Sequence, residues 1–252
     1  MPASYFLGLE IKTENDGSIQ LNQAAYTRKV LERFGLQDCK LVSTPIVKDC
    51  IQSENESEMD LNTTFPYREA VRALMYLMTG TRPDIAYAIS VVFRSLEDPS
   101  NHNCIQVKRI LRYLKGTTDY DITYKTTSMD GLITFSDADH GGDETGRSTT
   151  GIICMYAGGA ISWLSQRQTS VAISSTEAEI VAASEASRKL IWLKQLYEEF
   201  LDMEWKAVLM VDNEAAIRLA QNPEYHRLTK HIHIRHFLVR ELVLNGAILI
   251  QK

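Results

Sequence analysis

Cysteine and proline are both scarce, and the chain has no long apolar run. Its 252 residues include four cysteines, Cys39, Cys50, Cys104 and Cys154, with no C-x-x-C spacing. That distribution excludes a disulfide framework and a thiolate zinc site, and leaves reduced structural thiols. No apolar stretch approaches the roughly 18 residues of a membrane span. The first 30 residues lack the basic-then-apolar layout of a signal peptide, so an intracellular location is expected. A strong charge of one sign is missing too. The net charge of −5 and pI near 5.7 are not those of a dedicated nucleic-acid binder. Only residues 64–125 are net positive, with 9 basic against 6 acidic groups. Apolar surface is plentiful, at 44% hydrophobic residues, enough to bury one large core or two modest ones.

The pattern along the chain predicts two kinds of structure. Residues 5–11 (YFLGLEI) and 18–21 (SIQL), separated by the turn-forming NDG, read as a β-hairpin leading into a helix from about Asn22 to Phe34 that Gly35 stops. Residues 48–64 are acidic, polar and without apolar period, and read as a mobile linker between two packed units. Three helices follow, near 66–79, 83–96 and 101–115, with Pro66 and Pro83 in first turns and Pro99 and Gly116 in the breaks. On the third, Val107, Ile110, Leu111 and Leu114 form an apolar stripe. Lys108, Arg112 and Lys115 share another face with Arg109 beside it, either as a solvated face or as a helix lying along a phosphate backbone. From residue 132 the pattern becomes short strands (LITFSDA, GIICMYA, AISWLS), a long helix over 175–200, a strand at 207–211, helices near 213–221 and 232–244, and the apolar run AILI. This order predicts a mixed sheet covered by helices, an α/β architecture.

Three acidic residues stand at the ends of apolar elements. Asp137 ends LITFSD on the face of Ile133 and Phe135, a face expected to be buried. Glu179 shares a helical stripe with Ala182, Ala183, Ala186, Leu190 and Leu193, whereas Glu177 points elsewhere. Asp212 follows AVLMV at the strand's carboxyl end, where open α/β sheets place ligands. Clustered carboxylates without basic partners repel one another, so their convergence favours a divalent cation, and hard oxygen donors select Mg²⁺ or Mn²⁺ over zinc. Taken singly, each has an ordinary role: Asp137 in a turn, Glu179 as a helix N-terminal charge, Asp212 as the cap of the next helix. Four histidines, His226, His231, His233 and His236, offer a weaker zinc reading with no cysteine nearby.

These residues bring a family into view. FSDADHGGD, RSTTG, ISWLSQRQ, ISSTEAEIVA, VDNEAAIRLAQNP and HRLTKHIHIR resemble, in order and spacing, the ribonuclease H domain of copia-type retrotransposon Pol polyproteins. YFLGLEI, YREAVRALMYLMTGTRPDIAYAISV and VKRILRYLKGT resemble the end of the reverse transcriptase and its connection. The resemblance implies a ribonuclease H-like mixed sheet with flanking helices over 128–252, lacking its last helix, preceded by a mostly helical connection at 65–127, the acidic linker at 48–64 and the reverse-transcriptase end at 1–47. It implies metal-dependent hydrolysis of the RNA strand of RNA–DNA hybrids, with Asp137, Glu179 and Asp212 as metal ligands for two Mg²⁺ or Mn²⁺ ions. Recognition would rest on backbone shape and 2′-hydroxyls, with no sequence specificity. Ser174, Ser175 and Asn213 stand as contacts for the hybrid or the metal ligands, or as helix caps.

Departures from the family pattern set the alternative. The family's fourth aspartate would follow the last strand and is not in this chain, and the polymerase aspartates would precede residue 1, so polymerase activity is not expected. KHIHIRHFL places His233 where an acid is usual and Phe237 where a histidine is usual, and DADH places His140 where a tryptophan is usual. The competing expectation is an inactive transposon remnant that binds nucleic acid or has no enzymatic role. An uncovered apolar sheet face with self-association is expected in either case.

Overall fold

The computed structural model describes residues 3–47, 65–126, 131–143, 145–202, 205–221 and 233–252. The chain divides into two compact units, 1–123 and 124–252, and combines helices with two β-sheets, a mixed α/β composition. The acidic stretch 48–64 lies outside the described residues.

In the first unit, the run YFLGLEI is not one strand. It breaks at Leu7–Gly8 into β1 (Tyr5–Phe6) and β2 (Leu9–Thr13), where both residues have positive φ. The positive φ of Gly8 favours glycine, and the Tyr76 hydroxyl, donating to the Leu7 carbonyl at 2.8 Å, lies where a Cβ on Gly8 would fall, so a larger residue would also displace that hydroxyl. β3 (Ile19–Asn22) pairs antiparallel with β2, and β4 (Ile122–Tyr124), which the sequence pattern did not announce, adds a fourth strand. The helices are α1 (Ala24–Arg33), α2 (Tyr67–Gly80), a 3₁₀ turn at Pro83–Ile85 running into α3 (Ala86–Phe93), and α4 (Asn101–Gly116). Ser100 starts α4 with a capping box, its hydroxyl accepting from the Asn103 N–H while the Asn103 side chain accepts from the Ser100 N–H, satisfying two of the helix's orphan donors. Val30 and Leu31 of α1 share one core with Leu74, Leu77, Ile89, Ile110 and Leu114. Residues on either side of 48–64 therefore build a single packed unit, a correction to the expectation that this stretch separates two.

Arg82 closes that core. Its guanidinium is buried and grips Asp84 through two hydrogen bonds of 3.0 and 2.7 Å, and it donates to the Thr117 carbonyl at 2.9 Å. Tyr113 adds a hydrogen bond to the same carboxylate at 2.9 Å. The buried charge is thus paired and hydrogen-bonded through each of its three nitrogens, the condition under which it is tolerated.

The second unit is a five-stranded sheet in the order β7-β6-β5-β8-β9. β5 (Leu132–Asp139), β6 (Thr149–Tyr156) and β7 (Gly159–Arg167) form an antiparallel meander, and β8 (Ala207–Val211) and β9 (Leu249–Gln251) extend it in parallel from β5. The long helix α5 (Ser175–Leu201) lies against β5, with α6 (Glu214–Gln221) and α7 (His233–Leu244) packed beside it. Leu132, Leu209, Ile250, Ala183, Ala186 and Leu190 belong to the core between sheet and helices. The other face of β5 is open: Phe135 is 43% exposed and its neighbours Ile133, Ile153, Trp163, Val208 and Met210 are only partly buried. The expectation that the Ile133–Phe135–Asp137 face is buried is therefore reversed. Alternation fixes which residues share a face, and α5 covers the Leu132–Thr134–Ser136 side instead.

Candidate metal centre

Asp137, Glu179 and Asp212 come together although they lie on three different elements. One carboxylate oxygen from each is within 4.8 Å of the other two. Asp137 is near the carboxyl end of β5, Asp212 follows β8, and β5 and β8 are parallel neighbours in which Ser136 pairs with Val211, so the next residue on each strand carries an acid to the same edge. Glu179 reaches that edge from the second turn of α5. Its helical neighbours Ala182, Ala183, Ala186, Leu190 and Leu193 are all buried, which places its stem against the sheet.

The three carboxylates differ in environment. Asp137 and Asp212 are exposed, whereas Glu179 is only 6% exposed. Its Oε1 accepts a hydrogen bond of 3.3 Å from the Ala138 N–H, and its Oε2 is buried with no partner among the described residues. Burial, followed by the negative charges of Asp212 and Asp137, raises its pKa to about 7 against the pull of the Ala138 N–H. No lysine or arginine among the described residues pairs with any of the three acids; the unit's ion pairs lie elsewhere and include Arg167–Asp143, Lys194–Glu198, Arg218–Glu214 and Lys252–Glu214. A buried carboxylate oxygen with no partner, beside two further carboxylates and no protein cation, fits a hard divalent ion as the missing countercharge.

The surrounding loops are held by polar side chains. Ser174 caps α5, its hydroxyl accepting from the Glu177 N–H at 3.1 Å. Glu177 returns a carboxylate oxygen to the Ile173 N–H at 2.7 Å. The S-x-x-E spacing is the sequence signal of such a cap, here reaching one residue further back than the usual box. Asn213 caps α6 by accepting from the Ala216 N–H at 3.0 Å. Ser175 opens α5 and is exposed. The buried Gln168 donates to Thr150 Oγ1 and to the Ala178 carbonyl, tying β6 to the start of α5. Asp143 organises the β5–β6 loop; burial works against its charge, but hydrogen bonds from Thr145, the Arg147 N–H and Arg167 outweigh it and hold the carboxyl well below the usual range. Gln168, Asp143 and His140 were not legible as positioning groups, because their partners are distant in sequence or are main-chain atoms.

The basic row belongs to the other unit. Lys115 donates to the Cys39 carbonyl at 2.8 Å, Arg112 to the Lys40 carbonyl at 2.8 Å and Arg109 to Thr44 Oγ1 at 3.0 Å. The Lys108 ammonium lies 5.2 Å from the Phe65 ring centroid. Successive cations along α4 thus hold the segment 39–44 as it runs the opposite way. Of the four histidines, His226 and His231 lie outside the described residues.

The chain matches known proteins over its whole length. It is 40% identical over 258 aligned residues, covering 100% of the chain, to the Retrovirus-related Pol polyprotein from transposon TNT 1-94 of Nicotiana tabacum. It is 34% identical over 250 residues, or 97% of the chain, to that from transposon RE2 of Arabidopsis thaliana. An uncharacterized mitochondrial protein of Arabidopsis thaliana is 37% identical over 192 residues, covering 76% of this chain and 78% of that protein. The chain spans 19% and 17% of the two polyproteins. No family model matches it, and no solved structure does.

A mixed α/β chain with an acidic cluster at a sheet edge and this span of similarity is of retrotransposon origin. It belongs to the family of copia-type retrotransposon Pol polyproteins.

Proposed function

We propose that residues 128–252 form a ribonuclease H-like domain that hydrolyses the RNA strand of RNA–DNA hybrids, and that residues 1–47 and 65–127 are the reverse-transcriptase end and its connection. The observation that carries the reading is the meeting of Asp137, Glu179 and Asp212 within 4.8 Å, with one buried carboxylate oxygen left without a partner. These three side chains would hold Mg²⁺ or Mn²⁺. When bound, such ions supply the positive charge that makes water nucleophilic at neutral pH and stabilises a leaving 3′ oxygen.

The chain's own groups set the rest. Asp137 and Asp212, exposed at the edge, are open to ions and to a phosphate brought from solvent. Glu179 is fixed from behind by the Ala138 N–H and by its place in the helix–sheet core. Ser174 Oγ and Asn213 Oδ1 accept the helix-capping hydrogen bonds, so any contact with the hybrid falls to the Ser174 O–H, the Asn213 amide N–H groups and Ser175. An RNA–DNA hybrid is the partner, recognised through backbone and 2′-hydroxyls. No helix among the described residues is long and apolar enough to cross a membrane.

The test is cleavage of an end-labelled RNA–DNA hybrid by the purified chain in Mg²⁺ and separately in Mn²⁺, beside Asp137→Asn. Cleavage confined to the hybrid and lost in Asp137→Asn is expected. Absence of cleavage in both metals would overturn the enzymatic reading and leave a non-catalytic transposon-derived protein.

A further inference from the structure

Beside the carboxylates, the turn between β7 and α5 shows an arrangement that packing alone does not account for. Val171 and Ile173 are 57% and 80% exposed, while Ala172 between them is buried at 7%. The turn that carries them is tied down at two adjacent residues. His140, from the loop that follows Asp137, donates from Nε2 to the Ala172 carbonyl at 3.2 Å. Glu177, two residues before Glu179, accepts from the Ile173 N–H at 2.7 Å. Ser174, next in the chain, caps the helix that carries Glu179. The groups that hold the turn thus come from the segments that carry two of the three acids. Two branched apolar side chains are thus exposed on a tied-down turn six and eight residues before Glu179.

We propose that Val171 and Ile173 form an apolar contact for the sugar faces of a polynucleotide strand lying across the acidic edge. This rests on the nucleic-acid reading of the site and adds a subsite to it. A strand presented to Asp137 and Asp212 passes the neighbouring turn, where the two outward apolar side chains stand between the exposed polar residues Thr169 and Ser170 on one side and Ser174 and Ser175 on the other. Sugar C–H faces are the part of a nucleic-acid backbone that apolar surface complements, whereas phosphates are not. His140 and Glu177 are positioning residues in this arrangement, because they hold the turn and touch no strand themselves.

The test is binding of a labelled RNA–DNA hybrid and of a DNA duplex of the same sequence to the full chain in Ca²⁺, by anisotropy over a series of salt concentrations, with the intact label checked on a gel. Val171→Ser/Ile173→Ser should weaken binding about tenfold, the scale for two apolar side chains losing burial. The loss should be the same factor at every salt concentration, giving parallel plots of log K against log salt, because no phosphate contact is removed. Ile173→Leu should stay within about twofold of the parent, since it keeps the apolar surface. Loss on both nucleic acids places the contact on the deoxyribose strand, and loss on the hybrid alone places it on the ribose strand; either supports the proposal. Unchanged binding by the double variant, a loss that shrinks as salt rises, or no binding of either nucleic acid by the parent chain would overturn it. Cleavage by a parent chain whose double-serine variant binds normally would overturn this contact and leave the ribonuclease reading standing.

Discussion

Replacing Glu179 with glutamine should make the metal-free protein more stable at pH 8. The folded pKa of Glu179 is about 7 against an ordinary 4.5, a difference of about 2.5 pH units. At about 1.4 kcal/mol per unit, this carboxylate opposes folding by about 3 kcal/mol once ionised. The folded state binds the proton more tightly than the unfolded state, so this contribution is zero below pH 4.5. It grows as pH rises from 4.5 to 7 and is constant above. Glutamine keeps an oxygen for the Ala138 N–H and carries no charge to repel Asp137 and Asp212. For a unit of this size the gain corresponds to a melting-temperature rise of roughly 10 °C at pH 8. All three tryptophans, Trp163, Trp192 and Trp205, lie in the second unit, so fluorescence-monitored melts report it selectively. The parent should lose stability between pH 4.5 and 7 in EDTA, and Glu179→Gln should not. Mg²⁺ should stabilise the parent and leave the variant unchanged. A variant less stable than the parent at pH 8, or one with the parent's pH slope, would refute the reasoning.

Other substitutions separate the two units. Arg82→Ala removes the partner of Asp84 and the donor to Thr117. It should cost about 3 kcal/mol, moving the far-UV circular dichroism transition of the helical unit while the tryptophan transition stays in place. Glu177→Ala should cost about 1 kcal/mol of second-unit stability through loss of the α5 entry bond, read in urea melts; an unchanged midpoint would mean the bond is replaced by water. The open face around Phe135, 43% exposed, should drive self-association. Sedimentation at tens of micromolar should show dimers or larger, and Phe135→Asp should return the chain to monomer; a parent monomeric at all concentrations would end that idea.

Much of the element order was legible before the coordinates, because caps, glycines and periodicity act locally. The Ser174 start and the prolines before α2 and α3 are examples, whereas the Ser100 capping box emerged only from the structure. The acids were legible as a group because Asp137 and Asp212 fall at the carboxyl ends of neighbouring parallel strands and Glu179 shares a stripe with the apolar residues of α5. What escaped reading is non-local. β4 is three residues long and exists only by pairing, and the run YFLGLEI splits because Tyr76, far along the chain, pins Leu7. The buried face of β5 could not be chosen from alternation, since parity is the same whichever side the helix takes. The α4 cations were visible as charges, but their acceptors are main-chain and hydroxyl oxygens that no residue pattern encodes.

Those cations have a consequence for salt dependence. Lys115, Arg112 and Arg109 give hydrogen bonds to the oxygens of Cys39, Lys40 and Thr44, which are neutral acceptors, so the positive charge of the row is steadied in place and not cancelled. A polyanion drawn to that charge would need to break none of these bonds. Raising the salt concentration would therefore weaken its attraction to α4 while leaving the hold on the 39–44 segment in place.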